Sequence, residues 1–395
     1  MGLFANLASG LGNIGSIVLT FGPPFIFVLS LVVFVHELGH FLVARLCGVT
    51  VETFSIGFGP ALISRRDRKG TIWQISWLPF GGYVKFAGDE DAASNPDLEA
   101  LDRITASNTP EVQATVAGLF HFKPLAQRAA VVAGGPFSNF IFAILVFAFM
   151  FTVIGEQRIP PLVGEVGQNT PAAAAGFKPG DLVRKIDGRT IDSFGQMQEI
   201  VGVSPGRTLS VVVDRGGAPV TLTATPEAKE VKDRFNNVNK IGVLGITSGA
   251  SAKDVTYVRY DPLTALWRAI DRTGFVVERT LSMVGQLITG RQDASQLSGP
   301  IGIAKISGEI AQLGFGPLIT LAALLSISVG LLNLFPIPLL DGGHLMYYAY
   351  EAIRGRPPGA RAQELGFRIG LALVVSLMVF ATWNDLFKMI HVNGG

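Results

Sequence analysis

Four apolar runs, each about twenty residues or longer and bounded by charge or by Gly/Pro punctuation, decide most of what this chain can fold into. They occupy 24–46, 129–154, 315–340 and 367–390. A run of that length crosses the hydrocarbon core as a helix, and any segment in lipid has to satisfy its backbone groups internally. The chain therefore reads as a polytopic α-helical membrane protein with four transmembrane helices. Charged residues make up 16% of it, against roughly 25% in soluble domains, so the missing charge fits a bilayer better than a water-facing surface. The first run differs from a cleavable signal peptide. Residues 1–31 hold no Lys or Arg, so the basic n-region is absent and the run reads as a retained helix.

Lys and Arg beside the runs set the expected orientation. Arg45, Arg65, Arg66, Arg68, Lys69, Lys123 and Arg128 flank or fill 47–128, and Arg354, Arg356, Arg361 and Arg368 flank or fill 345–366, which makes these two loops cytoplasmic. Both termini and 155–314 then lie outside, in the periplasm if the membrane is a bacterial inner membrane. A net charge of +2 leaves no basic excess for neutralising phosphates, so no nucleic acid is expected as a partner. The single cysteine, Cys47, excludes an internal disulfide and a cysteine-based zinc cluster, leaving His and carboxylates to hold any metal.

Between the second and third runs, β-branched alternation and turn dipeptides replace the apolar pattern, and 160–228 reads as an inserted periplasmic α/β domain. A short helix at 171–175 closed by Gly176, a strand at 182–186, a turn at Asp187-Gly188, a helix at 193–201 and a hairpin through Arg215, Gly216 and Gly217 are expected. That order, with TPAAAAGFKPGDLVRKIDGRTI from Thr170, resembles a PDZ domain, a module that captures extended peptides at a sheet edge. Within 229–314, Leu263, Leu266, Trp267, Ile270, Val277, Leu281, Val284 and Ile288 recur at three- and four-residue steps, as on a helix lying in the membrane interface or packing on the external domain. On the cytoplasmic side, Thr71 to Phe86 is aromatic and β-branched and is broken by Pro79 and Gly81-Gly82. It reads as a membrane-associated β-hairpin, while 88–118 reads as a loop or short helices with no nameable chemistry.

An ionisable residue inside a span costs at least about 2.5 to 3.5 kcal/mol, so the few present are functional candidates. The first run contains His36, Glu37 and His40 in HELGH. His36 and His40, four apart, share a helix face and can hold one ion, and Glu37 beside them is placed to take a proton from a water activated there. A catalytic zinc takes three protein ligands and keeps the fourth position open. Asp341, the sole carboxylate at the end of the third run, is the expected third, with His344 beyond Gly342-Gly343 as its competitor. The first run enters the cytoplasm soon after His40 and the third soon after Asp341, which puts the two at similar depth. Asn333 has two readings, a hydrogen bond to the substrate backbone or oxyanion, or a pin for the helix that Pro336 and Pro338 break. Asn139 could serve as Asn333 does, although Gly134, Gly135 and Ser138 around it favour close helix packing.

HELGH in the first run, the PDZ-like insert and NLFPIPLLDGGH at the third together resemble the site-2 protease family of intramembrane zinc metalloproteases, and within it the bacterial regulator-of-sigma-E proteases. GFGP from Gly57, GGYVKF from Gly81, AGGPFSN from Ala133 and SGPIGIAK from Ser298 are similar to that family's signatures. The resemblance implies Zn2+ as cofactor and regulated intramembrane proteolysis of single-pass membrane proteins in the lipid bilayer, anti-sigma factors or remnant signal peptides among them. It also implies an upstream site-1-type protease acting on the same substrate, and a re-entrant hairpin that pairs with the unwound substrate. The best-known sigma-E regulators have tandem PDZ domains, whereas this chain has the pattern for one, and Ser328 stands where the family has an asparagine. The expected organisation is 1–46 with HExxH, 47–128 with the hairpin, 129–154, the domain 160–228, then 229–314, 315–344, 345–366 and 367–390. Two other classes compete. A PDZ receptor with a structural metal would not need the complete His36, Glu37, His40 and Asp341 set, and a divalent-metal transporter would have no use for Glu37 or the insert.

Overall fold

The computed structural model describes residues 2–89, 116–232, 238–290 and 298–392, so most of the 88–118 stretch lies outside the described residues. The chain divides into two compact units, 1–147 with 269–277 and 298–385, and 148–268 with 278–297 and 386–395.

Helix α1 (Gly2–Leu46) starts well before the expected residue 24 and carries Pro23 and Pro24 inside it. Its portion Leu19–Leu46 is long and apolar enough to cross a membrane. Strands β1 (Val51–Arg66) and β2 (Ile72–Phe86) follow. Their pairing corrects the expected hairpin, because the arms on either side of Pro79 flank β1 rather than each other. Phe54 lies opposite Trp73 on one side and Val84 on the other, and Ile56 opposite Ile75 and Gly82. The second half of β1 then doubles back on the first arm, with Ile63 opposite Ile75. Gly57 and Gly59, both at positive φ near 90°, permit that reversal. Buried Val51 and Phe54 give β1 the central place, with Phe54 packing on Phe41 of α1 and on Trp73 at centroid distances of 5.6 and 4.5 Å. Residues 82–86 are left at the edge of the sheet. Leu62, Ile63, Ile75, Trp77 and Leu78 are apolar and exposed. Helix α2 (Leu125–Val153) crosses α1 where a Cβ on Gly39 would strike Ser138 Cβ at 2.7 Å, and one on Gly134 would strike Gly39 O at 2.8 Å.

The second unit is built on an antiparallel sheet. Its elements are β3 (Glu156–Arg158), β4 (Val163–Val166), α3 (Pro171–Ala175), β5 (Leu182–Ile186), β6 (Arg189–Thr190), α4 (Phe194–Gly202), β7 (Leu209–Arg215), β8 (Ala218–Ala224), β9 (Glu227–Lys232), β10 (Val238–Val243), β11 (Ile246–Ser248) and β12 (Thr256–Val258). The main sheet runs β6-β5-β7-β8. Thr170 caps α3 by accepting from Ala173 N at 3.3 Å, and Gly176 ends it at φ 83°. Positive φ at Asp187 and Gly188 makes the tight β5–β6 turn. The core of Val163, Val183, Leu209, Val211 and Val213 also takes in Leu244, and β11 pairs with β4 (Ile246 opposite Val166). The domain therefore extends past the expected boundary at 228, because β4 finds its partner strand only there.

Helix α5 (Pro262–Ile288) is capped by Asp261 and leaves Leu263, Trp267, Ile270, Leu281 and Ile288 exposed. Polar residues tie it to the domain, Arg268 to Asp192 (3.2 Å) and Glu156 (3.4 Å), and Gln286 to Val203 O (3.1 Å). Helices α6 (Pro300–Gln312), α7 (Phe315–Asn333), α8 (Asp341–Arg354) and α9 (Ala360–Val392) complete the chain. The candidate spans besides α1 are Leu125–Val153, Phe315–Asn333 and Arg361–Phe387. The third run is helical only to Asn333, not to 340. Pro336 and Pro338 lack the N–H a helix needs and Leu339 sits at φ 114°, after which α8 begins at Asp341, inside the expected 315–344 segment, and runs on to Arg354 in the expected 345–366 loop.

Candidate metal centre

The helical phase of α1 sets His36 and His40 one turn apart on the same face, with Nε2 atoms 3.2 Å apart. The break after Asn333 brings in the third group. Gly342 and Gly343 pack against the carbonyls of the 334–337 turn, where a Cβ on Gly343 would fall 2.5 Å from Ile337 O, so only glycines let α8 start this close. Asp341 occupies the first turn of α8, where the helix dipole favours a carboxylate. Its Oδ2 lies 3.1 Å from His36 Nε2 and its Oδ1 3.5 Å from His40 Nε2. A bidentate pair between Arg128 and Glu351 (2.6 and 3.2 Å) ties α8 to α2 below this point.

These three donor atoms lie within 4.8 Å of one another, and His344 is not among them although it lines the same cavity. Two imidazole nitrogens and a carboxylate oxygen with the fourth side open form the donor set of a catalytic zinc. The tautomer fits as well. His40 Nδ1 faces the Val131 carbonyl at 2.9 Å and can only donate to it, which leaves the Nε2 lone pair for a metal. The cavity measures about 560 Å³ and is also lined by Glu37, Gly82, Tyr83, Asn333 and His121. A Cβ on Gly82 would come 3.2 Å from Glu37 Cγ, so the edge strand of the sheet passes directly beside that carboxylate. His121 holds buried Asp89 at 2.9 Å, and Asp89 accepts from Phe86 N at 3.0 Å, fixing the end of the same strand.

His36, Glu37, His40, Asp341, His344, Asn333 and Asn139 thus reach one neighbourhood. Asn333 ends α7 at the cavity wall, and Asn139 of α2 is fully buried with Nδ2 at 3.2 Å from His36 Nδ1. Sequence reasoning missed the Val131 carbonyl and the Arg128–Glu351 pair, the first because a backbone acceptor carries no residue signature. It also missed the fit of Gly135 against His40, where a Cβ would lie 2.6 Å from Cε1 and 2.8 Å from Cδ2.

The sequence of residues 24–377 matches the profile of Peptidase family M50. The chain belongs to that family. Among its relatives, "Putative zinc metalloprotease Atu1380" of Agrobacterium fabrum is 47% identical over 93% of this chain and 96% of its own length. "Metalloprotease MmpA" of Caulobacter vibrioides is 44% identical over 91% of this chain and 94% of its own length. This M50 peptidase is accordingly a zinc metalloprotease, and the four long apolar helices among the described residues make it a multi-pass membrane protein. The PDZ domain of the SdrC-like protein of Listeria monocytogenes is 24% identical, with a TM-score of 0.18, over 22% of this chain and 83% of its own. That score is too low to establish a shared fold.

Proposed function

We propose that this M50 peptidase is an intramembrane endopeptidase that cuts single-pass membrane proteins within the bilayer of a bacterial inner membrane, with Glu37 as its general base and with His36, His40 and Asp341 as its zinc ligands. The observation that carries this reading is the convergence of those four residues from α1 and α8 on one cavity walled by apolar helices. Bound zinc would polarise the scissile carbonyl as a Lewis acid and lower the pKa of a water to about 7. Glu37 accepts that water's proton and passes it to the leaving amine. Asn333, which lines the same cavity, donates to the substrate backbone or oxyanion. A helical substrate buries its scissile amide, so it has to be extended first. The edge at 82–85, to which no further strand pairs among the described residues, lies beside Glu37 and is where an unwound segment can add as a strand. The exposed Leu62, Ile63, Trp77 and Leu78 of the same sheet suit contact with lipid.

The loops at 47–128 and 345–366 lie in the cytoplasm, and both termini and the inserted domain lie in the periplasm. The domain is PDZ-like and acts on what reaches the site, a substrate already trimmed by a site-1-type protease, in the manner of anti-sigma factors in a stress response, or a remnant signal peptide. The test is quantitative proteomics of membranes from cells with the native protein and with Glu37→Gln. Single-pass fragments should accumulate in the variant. Identical fragment profiles would sink the intramembrane reading. Cysteines introduced at Ser193 and Arg356 in a Cys47→Ser background should label from opposite sides, and same-side labelling would refute the topology.

A further inference from the structure

The amide of Asn139 is fully buried between α1 and α2, and its Oδ1 has no hydrogen-bond partner among the described residues, while Nδ2 lies 3.2 Å from His36 Nδ1. A buried orphan acceptor costs about 1 to 3 kcal/mol, so this arrangement needs a reason. In the orientation where Nδ2 donates to Nδ1, the ring proton has to sit on Nε2. That is the nitrogen facing His40 and Asp341, and a protonated nitrogen cannot ligate. A metal on Nε2 reverses the requirement, because Nδ1 then carries the proton and an amide N–H2 facing it would set donor against donor. A half-turn about Cβ–Cγ exchanges the two ends of the amide within the same envelope and presents Oδ1 to Nδ1–H. One movement thus gives Oδ1 a partner and frees the ligating lone pair, with Nδ2 taking the place that Oδ1 held.

We infer that Asn139 is a positioning residue for the metal, its Oδ1 accepting from His36 Nδ1–H in the zinc-bound protein and holding that ring in the ligating tautomer, as the Val131 carbonyl holds His40. The inference rests on the proposed ligand set. It assigns Asn139 neither to the oxyanion nor to packing alone. The backbone of Asn139 is held separately, its carbonyl accepting from Ser326 Oγ at 3.2 Å, so the side chain can be replaced without removing that contact. Loss of such an outer partner lowers metal affinity on the order of 10- to 100-fold.

The test is chelator competition on the full-length protein in detergent, with native, Asn139→Ala, Asn139→Asp and His36→Ala forms, together with the melting temperature of each metal-free form. Asn139→Ala should bind zinc about 10- to 100-fold more weakly. Asn139→Asp offers acceptors only, so it should retain zinc at least as tightly as the native protein. In the His36→Ala background, replacing Asn139 should have no further effect on zinc. Native affinity in Asn139→Ala with a folded metal-free form overturns the inference, as does zinc loss in a folded Asn139→Asp. If Asn139→Ala does not fold, the Asp variant alone decides. Full zinc affinity in His36→Ala would instead overturn the ligand assignment, a result distinct from either.

Discussion

Replacing Gly135 with alanine tests whether the site depends on the close approach of α2 to the His40 ring. The added methyl would press on His40 Nε2 and stand 2.6 Å from Cε1 and 2.8 Å from Cδ2, against ordinary contacts beginning at about 3.4 Å. The ring therefore has to retreat by at least about 0.8 Å, whereas ligand distances at a metal hold to about 0.2 Å. His40 cannot do both, and the bond from its Nδ1 to Val131 O is strained by the same movement. Alanine is about 1 kcal/mol better than glycine inside a helix, so α2 itself gains. The expected phenotype is a folded protein with a spoiled metal site. Zinc affinity should drop at least about 100-fold, or about 2.8 kcal/mol at 1.4 per decade, with the metal-free melting temperature little changed. Chelator competition measures the first and a thermal scan the second. A double-mutant cycle with His40→Ala isolates the cause, because the Gly135 effect should vanish once the ring is gone. Zinc binding within about threefold of native in Gly135→Ala, or an undiminished effect in the His40→Ala background, would refute the steric argument.

Asp341→Ala should lose zinc while His344→Ala keeps it and Glu37→Gln largely keeps it, as metal analysis of purified protein can check, and full zinc in Asp341→Ala with loss in His344→Ala would move the third ligand. In the external domain, the Arg215 guanidinium beside buried Asp181, at 2.7 and 2.8 Å, holds that carboxyl below the usual carboxylate range. A depressed folded pKa gives stability that is present above about pH 4 and lost as pH falls through the folded value, so Arg215→Met should lower the melting temperature at pH 7 and weaken its fall below about pH 4. Equal acid sensitivity in the two proteins would refute that linkage. Excising 163–248 is feasible because Gly249 N donates to Leu162 O at 2.8 Å, leaving the ends side by side. If the domain excludes bulky ectodomains, the excised protein should keep its zinc and cut untrimmed substrates faster, and slower cutting of trimmed substrate with no gain on untrimmed would reject exclusion.

What the sequence revealed and what it hid divide along a physical line. The spans and the HExxH face were legible because a bilayer demands long apolar runs and a helix fixes the spacing of its faces, so His36, Glu37 and His40 needed no tertiary information. The inserted domain's turns were legible at Asp187-Gly188 and Gly176, where local chemistry dictates positive φ. The sheet was misread because pairing between β1 and β2 is non-local, and nothing in the 71–86 pattern says that Val51 to Ile56 will lie between its arms. The end of the external domain was hidden for the same reason, since β4 waits for a strand some eighty residues later.

The metal site belongs to both sides of that line. The grouping of His36, His40 and Asp341 could be argued from charge placement alone, but its precision comes from contacts without a sequence signature. Gly135 against the His40 ring, the Val131 carbonyl on Nδ1 and the glycine pair under Asp341 all act through backbone proximity. In a membrane this arrangement has a particular logic. Helices in lipid gain little from burying apolar surface against one another, so close packing of small residues has to hold them. The glycines that let α2 meet α1 are the same ones that bring a carbonyl and an amide within reach of the two histidines. Helix association and ligand orientation are therefore set by one seam, and substitutions there should separate metal affinity from folding only where, as at Gly135, the new atom meets a ring rather than a backbone.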